Sequence, residues 1–399
     1  MEGKVHVQNS YTRVGFRLPD WATQMYPVIQ GVWQYVRERG LHWRMMGDFA
    51  AAQELEVIKI DEAWSGEGVI VFRPTPEELA AWEAKGVKVV NISSEASHLD
   101  VHSSLPDNFH MGKLAAEHLL SFGFENFCYV GSRERVYSCE RHAGFKATLL
   151  AAGFETQEIN IGGEALSSSN RAKLIQLALR RPIERIQKPV AVMARDDITA
   201  LAIVRCASSL GIKVPEDLAV VGVGDALLHC QMAWPPLTSV RYPAKSVGYH
   251  AARVLHQLLE EGEAEQKVQS RSSGIELRES SKVFQVSDPL IESVLVYIRT
   301  HSSGENIQIS QLGDKFSVSY SFLRKRFREV VGHSIRHEIN VRRIECLKAE
   351  LLNSDLTLQE VAWQMRFSSV EHMARFFLRH VGQTPKRYRM SHAQPIEIA

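Results

Sequence analysis

Short apolar runs alternate with amphipathic stretches through the first 280 residues. Residues 13–16, 68–72, 87–92, 126–130, 189–193 and 218–223 read as buried strands, and 26–39 and 111–122 as helices. Buried strands alternating with helices predict parallel sheets covered on both faces. Ligands of such folds bind at the C-terminal ends of strands. From Asp288 the pattern changes to all-helical. Two short helices are each followed by a tight turn and a second helix opened by a Ser cap. In the second helix of each pair the apolar residues stand four apart: Leu323 with Phe327, and Met373 with Phe377. That spacing turns one face inward and leaves the other free to enter a DNA major groove.

The first of these patterns runs Ile309-Ser310-Gln311-Leu312-Gly313-Asp314-Lys315-Phe316, then Ser317-Val318-Ser319, then a helix from Tyr320 to Arg328. The second runs Leu358-Gln359-Glu360-Val361-Ala362-Trp363-Gln364-Met365, then Arg366-Phe367-Ser368, then a helix from Ser369 to Arg379. Two such units in one chain can read two successive groove faces without dimerisation.

A length of 399 residues predicts two or three domains. No run of about 20 apolar residues occurs, so no membrane span is expected. The first 20 residues lack an apolar core and a small-residue cleavage site, so no signal peptide is expected either. Cys128, Cys139, Cys206, Cys230 and Cys346 are odd in number and form no CxxC pair, which fits a reducing cytoplasm better than a disulfide framework or a zinc site. The net charge of +1 hides an asymmetry. From Asp288 on there are 16 Lys and Arg against 12 Asp and Glu, a net of +4, which leaves −3 for the rest. The basic excess lies where phosphate contacts would need it.

With Arg343-Ile344-Glu345-Cys346-Leu347-Lys348-Ala349-Glu350-Leu351-Leu352 and the closing Gly382-Gln383-Thr384-Pro385-Lys386-Arg387-Tyr388-Arg389, residues 288–389 resemble the AraC-type DNA-binding domain. Ser317 and Arg366 stand where that family favours glycine. Either the turns are reshaped or these residues carry a strain cost; Arg366 is also placed to reach a phosphate. The first 280 residues resemble the periplasmic-binding-protein-like sensor of LacI-type repressors. The resemblance rests on Asp107-Asn108, Ala115-Ala116-Glu117-His118-Leu119, Arg141-His142-Ala143-Gly144-Phe145, Ala194-Arg195-Asp196-Asp197, Val221-Gly222-Val223-Gly224-Asp225 and Pro235-Pro236-Leu237-Thr238-Ser239-Val240. The pairing is similar to that of xylose-responsive regulators. It implies a two-lobed α/β sensor at 1–280, a linker at 281–287 and an all-α domain with two helix-turn-helix motifs at 288–399.

The resemblance implies an effector pocket between the lobes. Arg141 matches the sensor-fold arginine that forks onto sugar hydroxyls, against the plainer reading of a structural ion pair. Arg195 replaces a family asparagine beside Asp196, and would select an acidic sugar or pair with Asp225. Asp225 either serves the ligand in place of the carboxylate missing at Gly224 or caps the following segment. Arg241 matches a cleft-facing hinge position. Trp21, beside Asp20, would stack on a sugar ring, and Ser93 and Glu95 follow the third strand. On the DNA side the implied base-facing residues are Ser321, Arg324, Lys325 and Arg328, then Val370, Glu371, Ala374 and Arg375. Arg324 and Arg375 would specify bases, and Arg387 and Arg389 would brace the final turn.

His98 and His102 stand four apart with no third ligand at metal spacing. Nucleophile elbows, P-loops and GxGxxG followed by an acid are absent. The expected protein is thus not an enzyme and needs no cofactor or metal. It would be a DNA-binding regulator, an activator of carbohydrate catabolism genes controlled by xylose or a related or acidic sugar. Its partners would be operator DNA, the effector, a second copy of itself and RNA polymerase. A solute-binding module without a regulatory role is the alternative.

Overall fold

A computed structural model describes residues 11–19, 25–48, 59–162, 171–282, 286, 288–301, 307–353 and 356–392. The chain divides into two compact units, 1–118 with 126–281, and 119–125 with 282–399. Part of the expected linker at 281–287 lies outside the described residues.

The first unit holds two six-stranded sheets. Strands β1 (Thr12–Arg17), β2 (Trp43–Asp48), β3 (Gly68–Val71), β4 (Lys88–Asn91) and β5 (Ser103–Pro106) build the first, and β6 (Phe127–Gly131), β7 (Thr156–Asn160), β8 (Val190–Ala194), β9 (Leu218–Gly224) and β10 (Thr238–Arg241) the second. The chain then returns, adding β11 (Lys267–Ser270) to the first sheet and β12 (Ile275–Glu276) to the second. The orders are β11-β5-β4-β3-β1-β2 and β12-β10-β9-β8-β6-β7. All neighbours are parallel except β12, which runs antiparallel to β10. Each sheet is therefore doubly wound, with its first strand inside its second. The central strands β3, β6 and β8 are buried at every position because helices cover both faces.

The covering helices are α1 (Pro27–Glu38), α2 (Pro76–Ala84), α3 (Asn108–Leu120), α4 (Val136–Ala151), α5 (Arg171–Arg185), α6 (Asp197–Ser209), α7 (Leu227–Met232) and α8 (Ala244–Glu260). One contact matters for the site. A Cβ on Gly144 of α4 would lie 1.9 Å from the Phe109 carbonyl of α3, and one on Gly112 would lie 2.0 Å from the Arg141 carbonyl. Only glycine on both sides lets these helices approach so closely, and the approach brings Arg141 onto Asn108. Helix α3 starts at Asn108, three residues before the apolar pattern begins, because Asp107 Oδ1 accepts the His110 amide at 2.9 Å.

The second unit contains α9 (Pro289–His301), α10 (Leu312–Lys315), α11 (Tyr320–Val331), α12 (Ile335–Asn353), α13 (Leu358–Gln364), α14 (Val370–Val381) and α15 (Pro385–His392). The stretch expected as one helix over 309–316 is a 3-10 turn, Ile309–Gln311, leading into α10. Helix α12 separates the two helix-turn-helix units. Around the second, Leu347, Leu351, Val361, Met373 and Phe377 form a buried cluster.

Candidate functional site

The chain crosses between the two sheets after β5, after β10 and after β11, and these crossings are stitched to one another. The Asp107 amide donates to the Ser270 carbonyl at 2.7 Å, and the Arg241 amide to the Gly274 carbonyl at 2.9 Å. Ser272 Oγ donates to the Arg241 carbonyl at 2.7 Å. At the first crossing Asn108 holds both lobes: its Nδ2 donates to Ser94 Oγ at 2.9 Å and to Glu140 Oε2 at 2.8 Å. Short crossings bonded to each other let the lobes pivot without losing register.

Five expected ligand residues lie in the second lobe: Arg141 on α4, and Arg195, Asp196, Asp225 and Arg241 at strand ends. Arg141 is buried; its Nε donates to Asn108 Oδ1 at 3.0 Å, a terminal nitrogen donates to the Arg195 carbonyl, and its guanidinium lies 4.9 Å from the Tyr137 ring centre. Among the described residues it pairs with no carboxylate, so the ion-pair reading is not what the structure has. Arg195 directly follows β8, with its side chain fully covered. Its Nε lies 3.3 Å from both Thr199 Oγ1 and Asp196 Oδ2, while both terminal nitrogens lack a partner among the described residues. Asp196 caps α6, with Oδ1 accepting the Thr199 amide at 2.8 Å and Oδ2 accepting the Tyr137 hydroxyl at 3.3 Å.

The expected Arg195–Asp225 pair does not form. Asp225 Oδ1 is taken by Arg278 at 2.7 Å, and Oδ2 lies 3.9 Å from Arg241 Nε. Arg241 in turn bonds Glu276. Asp225 has φ 52°, in the left-handed region, and its amide donates to Ser239 Oγ at 3.0 Å. Beneath it, buried Asp197 accepts the Ala226 amide at 2.8 Å and the Ser239 hydroxyl at 2.6 Å. Burial pushes its carboxyl up to about 6, against these two bonds and helped by the charges of Asp196 and Asp225.

From the first lobe, Ser93 is buried with its amide on Asn91 Oδ1 at 2.8 Å, a turn-forming role. Glu95 lies 3.7 Å from Arg135 across the lobes, and its Oε1 is buried without a partner. Asp20 and Trp21 lie outside the described residues. Sequence reading missed Tyr242, directly after Arg241. It is half-exposed, yet burial pushes its hydroxyl up to about 12, with the nearby Arg141 charge opposing. Arg73, two residues beyond β3, has φ 56°. A non-glycine residue in the left-handed region beyond a strand end was the feature to look for, and a sequence does not display it.

In the DNA-binding unit both second helices are capped as expected. Ser319 Oγ accepts the Phe322 amide at 3.2 Å and Ser369 Oγ accepts the His372 amide at 3.1 Å. Leu323, Phe327, Met373 and Phe377 are fully buried, whereas Ser321, Arg324, Lys325, Arg328, Glu371 and Arg375 are exposed. Lys325 lies 4.0 Å from Glu329. Val370 and Ala374 are half-buried, and Val370 packs on the apolar cluster. Ser317 has φ 56° and Arg366 φ 50°. The turns keep the shape glycine would give them, and the two residues carry the strain. Arg343 Nη2 donates to the Met365 carbonyl at 3.0 Å while its guanidinium sits 4.1 Å from the Phe367 ring centre, bracing the second turn. Arg389 donates to the Leu351 and Leu356 carbonyls at 2.9 and 2.7 Å, while Arg387 is exposed.

No group of three or more His, Cys, Asp or Glu among the described residues could hold a metal ion, and none of their helices is long and apolar enough to cross a membrane.

A periplasmic-binding-protein-like domain family matches residues 116–281, and a helix-turn-helix domain family residues 312–391. The xylose operon regulatory protein of Escherichia coli K12 is 26% identical over 370 residues, covering 91% of this chain and 93% of that protein. The regulator CelR of Thermobifida fusca is 33% identical over 163 residues, covering 40% of this chain and 45% of that protein. Among solved structures, a xylose-binding transcription activator superposes with a TM-score of 0.59 at 24% identity, covering 96% of this chain and 99% of the other. At that identity the likeness bears on the fold. The chain thus carries a periplasmic-binding-protein-like domain followed by a helix-turn-helix domain and is similar over most of its length to xylose operon regulatory proteins; it is a DNA-binding transcription regulator.

Proposed function

We propose that this regulator activates carbohydrate catabolism genes when a sugar-like effector, xylose or a related or acidic sugar, enters the cleft between its lobes. The observation that carries the DNA reading is the paired construction of α11 and α14. Each is Ser-capped, pinned by two buried apolar residues, and presents exposed cations on its other side. Ser321, Arg324, Lys325 and Arg328 then face one groove, and Val370, Glu371, Ala374 and Arg375 the next. The sensor reading is supported by the stitched crossings and by the arginines and carboxylates collected at strand ends. Arg141, Arg195, Asp196, Asp225, Arg241 and Trp21 would serve the ligand, with Tyr242 beside them. The domains are sensor 1–280, linker 281–287 and DNA-binding 288–399.

Exposed Leu227, Leu228, Met232 and Trp234 form an apolar surface on and beside α7 that supports pairing with a second copy. Five free cysteines fit a cytoplasmic protein. It acts by binding rather than catalysis, with RNA polymerase as its output partner.

Footprinting and gel shifts with the full chain test this. Arg324→Ala and Arg375→Ala should each cost about 1–3 kcal/mol and relax selection at one base pair. A loss uniform across sequences, with a shallower salt slope, would make them phosphate clamps instead. No retarded complex at low salt would overturn the regulator reading.

A further inference from the structure

The sugars named with the solved relatives, cellobiose and ribose among them, carry no charge. The charge balance at the end of β8 fits a different ligand. Arg141 and Arg195 are 5% and 0% exposed. The carboxylate Arg195 touches is that of Asp196, which also accepts the Tyr137 hydroxyl and the Thr199 amide. Among the described residues Arg141 touches no carboxylate; its bonds go to Asn108 and to a backbone carbonyl. Two buried guanidinium groups thus share one acid. Of the other acids at these strand ends, Asp225 is spent on Arg278 and Arg241, and buried Asp197 on the Ser239 hydroxyl and the Ala226 amide. Glu95 is turned to Arg135.

The unspent capacity is directional. Among the described residues, both terminal nitrogens of Arg195 are buried without an acceptor. Leaving buried donors of a charged group unpaired costs more than leaving neutral ones. A planar guanidinium presents parallel N–H bonds that match the two oxygens of a carboxylate or the oxygens of a phosphate, and a single hydroxyl cannot fill them. An asparagine here would offer one neutral amide and no net charge. Glu95 Oε1, in the first lobe, is likewise buried without a donor among the described residues. Because the Arg195 side chain is fully covered, a ligand reaches it only when the groups packed over it move.

Resting on the sensor reading above, we propose that the effector is an anionic sugar, a sugar acid or sugar phosphate, whose charged group pairs with Arg195. Calorimetric titration of the full chain separates the sources. The probes are D-xylose and D-ribose as neutral sugars, D-xylonate and D-glucuronate as carboxylates, and D-ribose 5-phosphate as the phosphate. The expected result is that one charged arm binds at least tenfold more tightly than the neutral sugars, and that Arg195→Asn removes this advantage. Should Arg195→Asn fail to fold, Arg195→Lys keeps the charge, loses the fork, and should weaken the charged ligand by several fold. A neutral sugar binding as well as the charged ones overturns the proposal and leaves the sensor reading standing. A charged ligand indifferent to both substitutions overturns it as well. Silence in every arm overturns the proposal together with the sensor reading.

Discussion

Arg278 donates to Asp225 at 2.7 Å, tying a strand end of the candidate cleft to the segment on which the sensor unit closes. Around this bond the exit segment is held tightly. The Arg278 amide donates to Thr238 Oγ1 at 2.9 Å, Ser281 Oγ donates to the same oxygen at 2.9 Å, and Ser280 Oγ reaches the Val220 carbonyl at 2.7 Å. A ligand that draws on Asp225 therefore perturbs a cluster ending at Ser281.

Arg278→Met should break that tie. Arg278 also donates to the Leu237 carbonyl at 2.9 Å, so two acceptors lose a donor. The expected cost is about 1–3 kcal/mol in urea denaturation. Hydrogen exchange should quicken at the amides of Arg278 and Ser280 before it quickens in β9. Unchanged exchange at those amides would remove Arg278 from any coupling route.

The strands that the apolar pattern revealed are the inner ones, because helices cover both their faces. The sequences of β2, Trp43–Asp48, and β7, Thr156–Asn160, stand at sheet edges, and a strand half open to solvent need carry no apolar run. Strand β5 hid for another reason: it includes Ser103 and Ser104, which satisfy their hydroxyls internally, Ser104 on the Val247 carbonyl at 2.8 Å. In the site, Arg141 and Arg195 were legible because each stands in a short segment that carries the resemblance to the LacI-type sensor, Arg141-His142-Ala143-Gly144-Phe145 and Ala194-Arg195-Asp196-Asp197. Arg278 was not, since its partner Asp225 lies 53 residues earlier in the chain and only the packing of β12 against β10 brings them together.

Ser317 and Arg366 lend themselves to a paired substitution. A side chain in the left-handed region costs roughly 1–2 kcal/mol, and glycine relieves it at the expense of added freedom in the unfolded chain. Ser317→Gly and Arg366→Gly should therefore each raise the stability of the DNA-binding unit by about 0.5–1 kcal/mol. DNA affinity separates them. If exposed Arg366 holds a phosphate, its loss should reduce the salt slope of binding by about one, while Ser317→Gly should leave the slope unchanged. Equal slopes would make Arg366 a tolerated substitution whose strain serves nothing.

Asp197 gives the sensor a pH dependence of unusual sign for a carboxylate. Burial raises its carboxyl from an ordinary 3.8 to about 6 in the folded chain. The folded state therefore binds the proton more tightly than the unfolded state. The stability this confers is complete below the unfolded value near 4 and is lost as pH rises through 6, a change of roughly 3 kcal/mol for two pH units of difference. His250 works against it. Burial presses that imidazole down to about 4, so stability it provides above 6.5 is lost as pH falls toward 4. The two effects overlap between pH 4 and 6.5, and the whole-protein profile blends them. Asp197→Asn isolates one of them. The variant keeps a side chain that can accept the Ala226 amide but does not titrate. Its stability relative to the parent should rise steadily between pH 4 and 7, by up to about 3 kcal/mol, read from urea midpoints at several pH values. A difference that stays constant over that range would mean that Asp197 keeps its charge in the fold, stabilised by Ser239 and Ala226 more than burial penalises it.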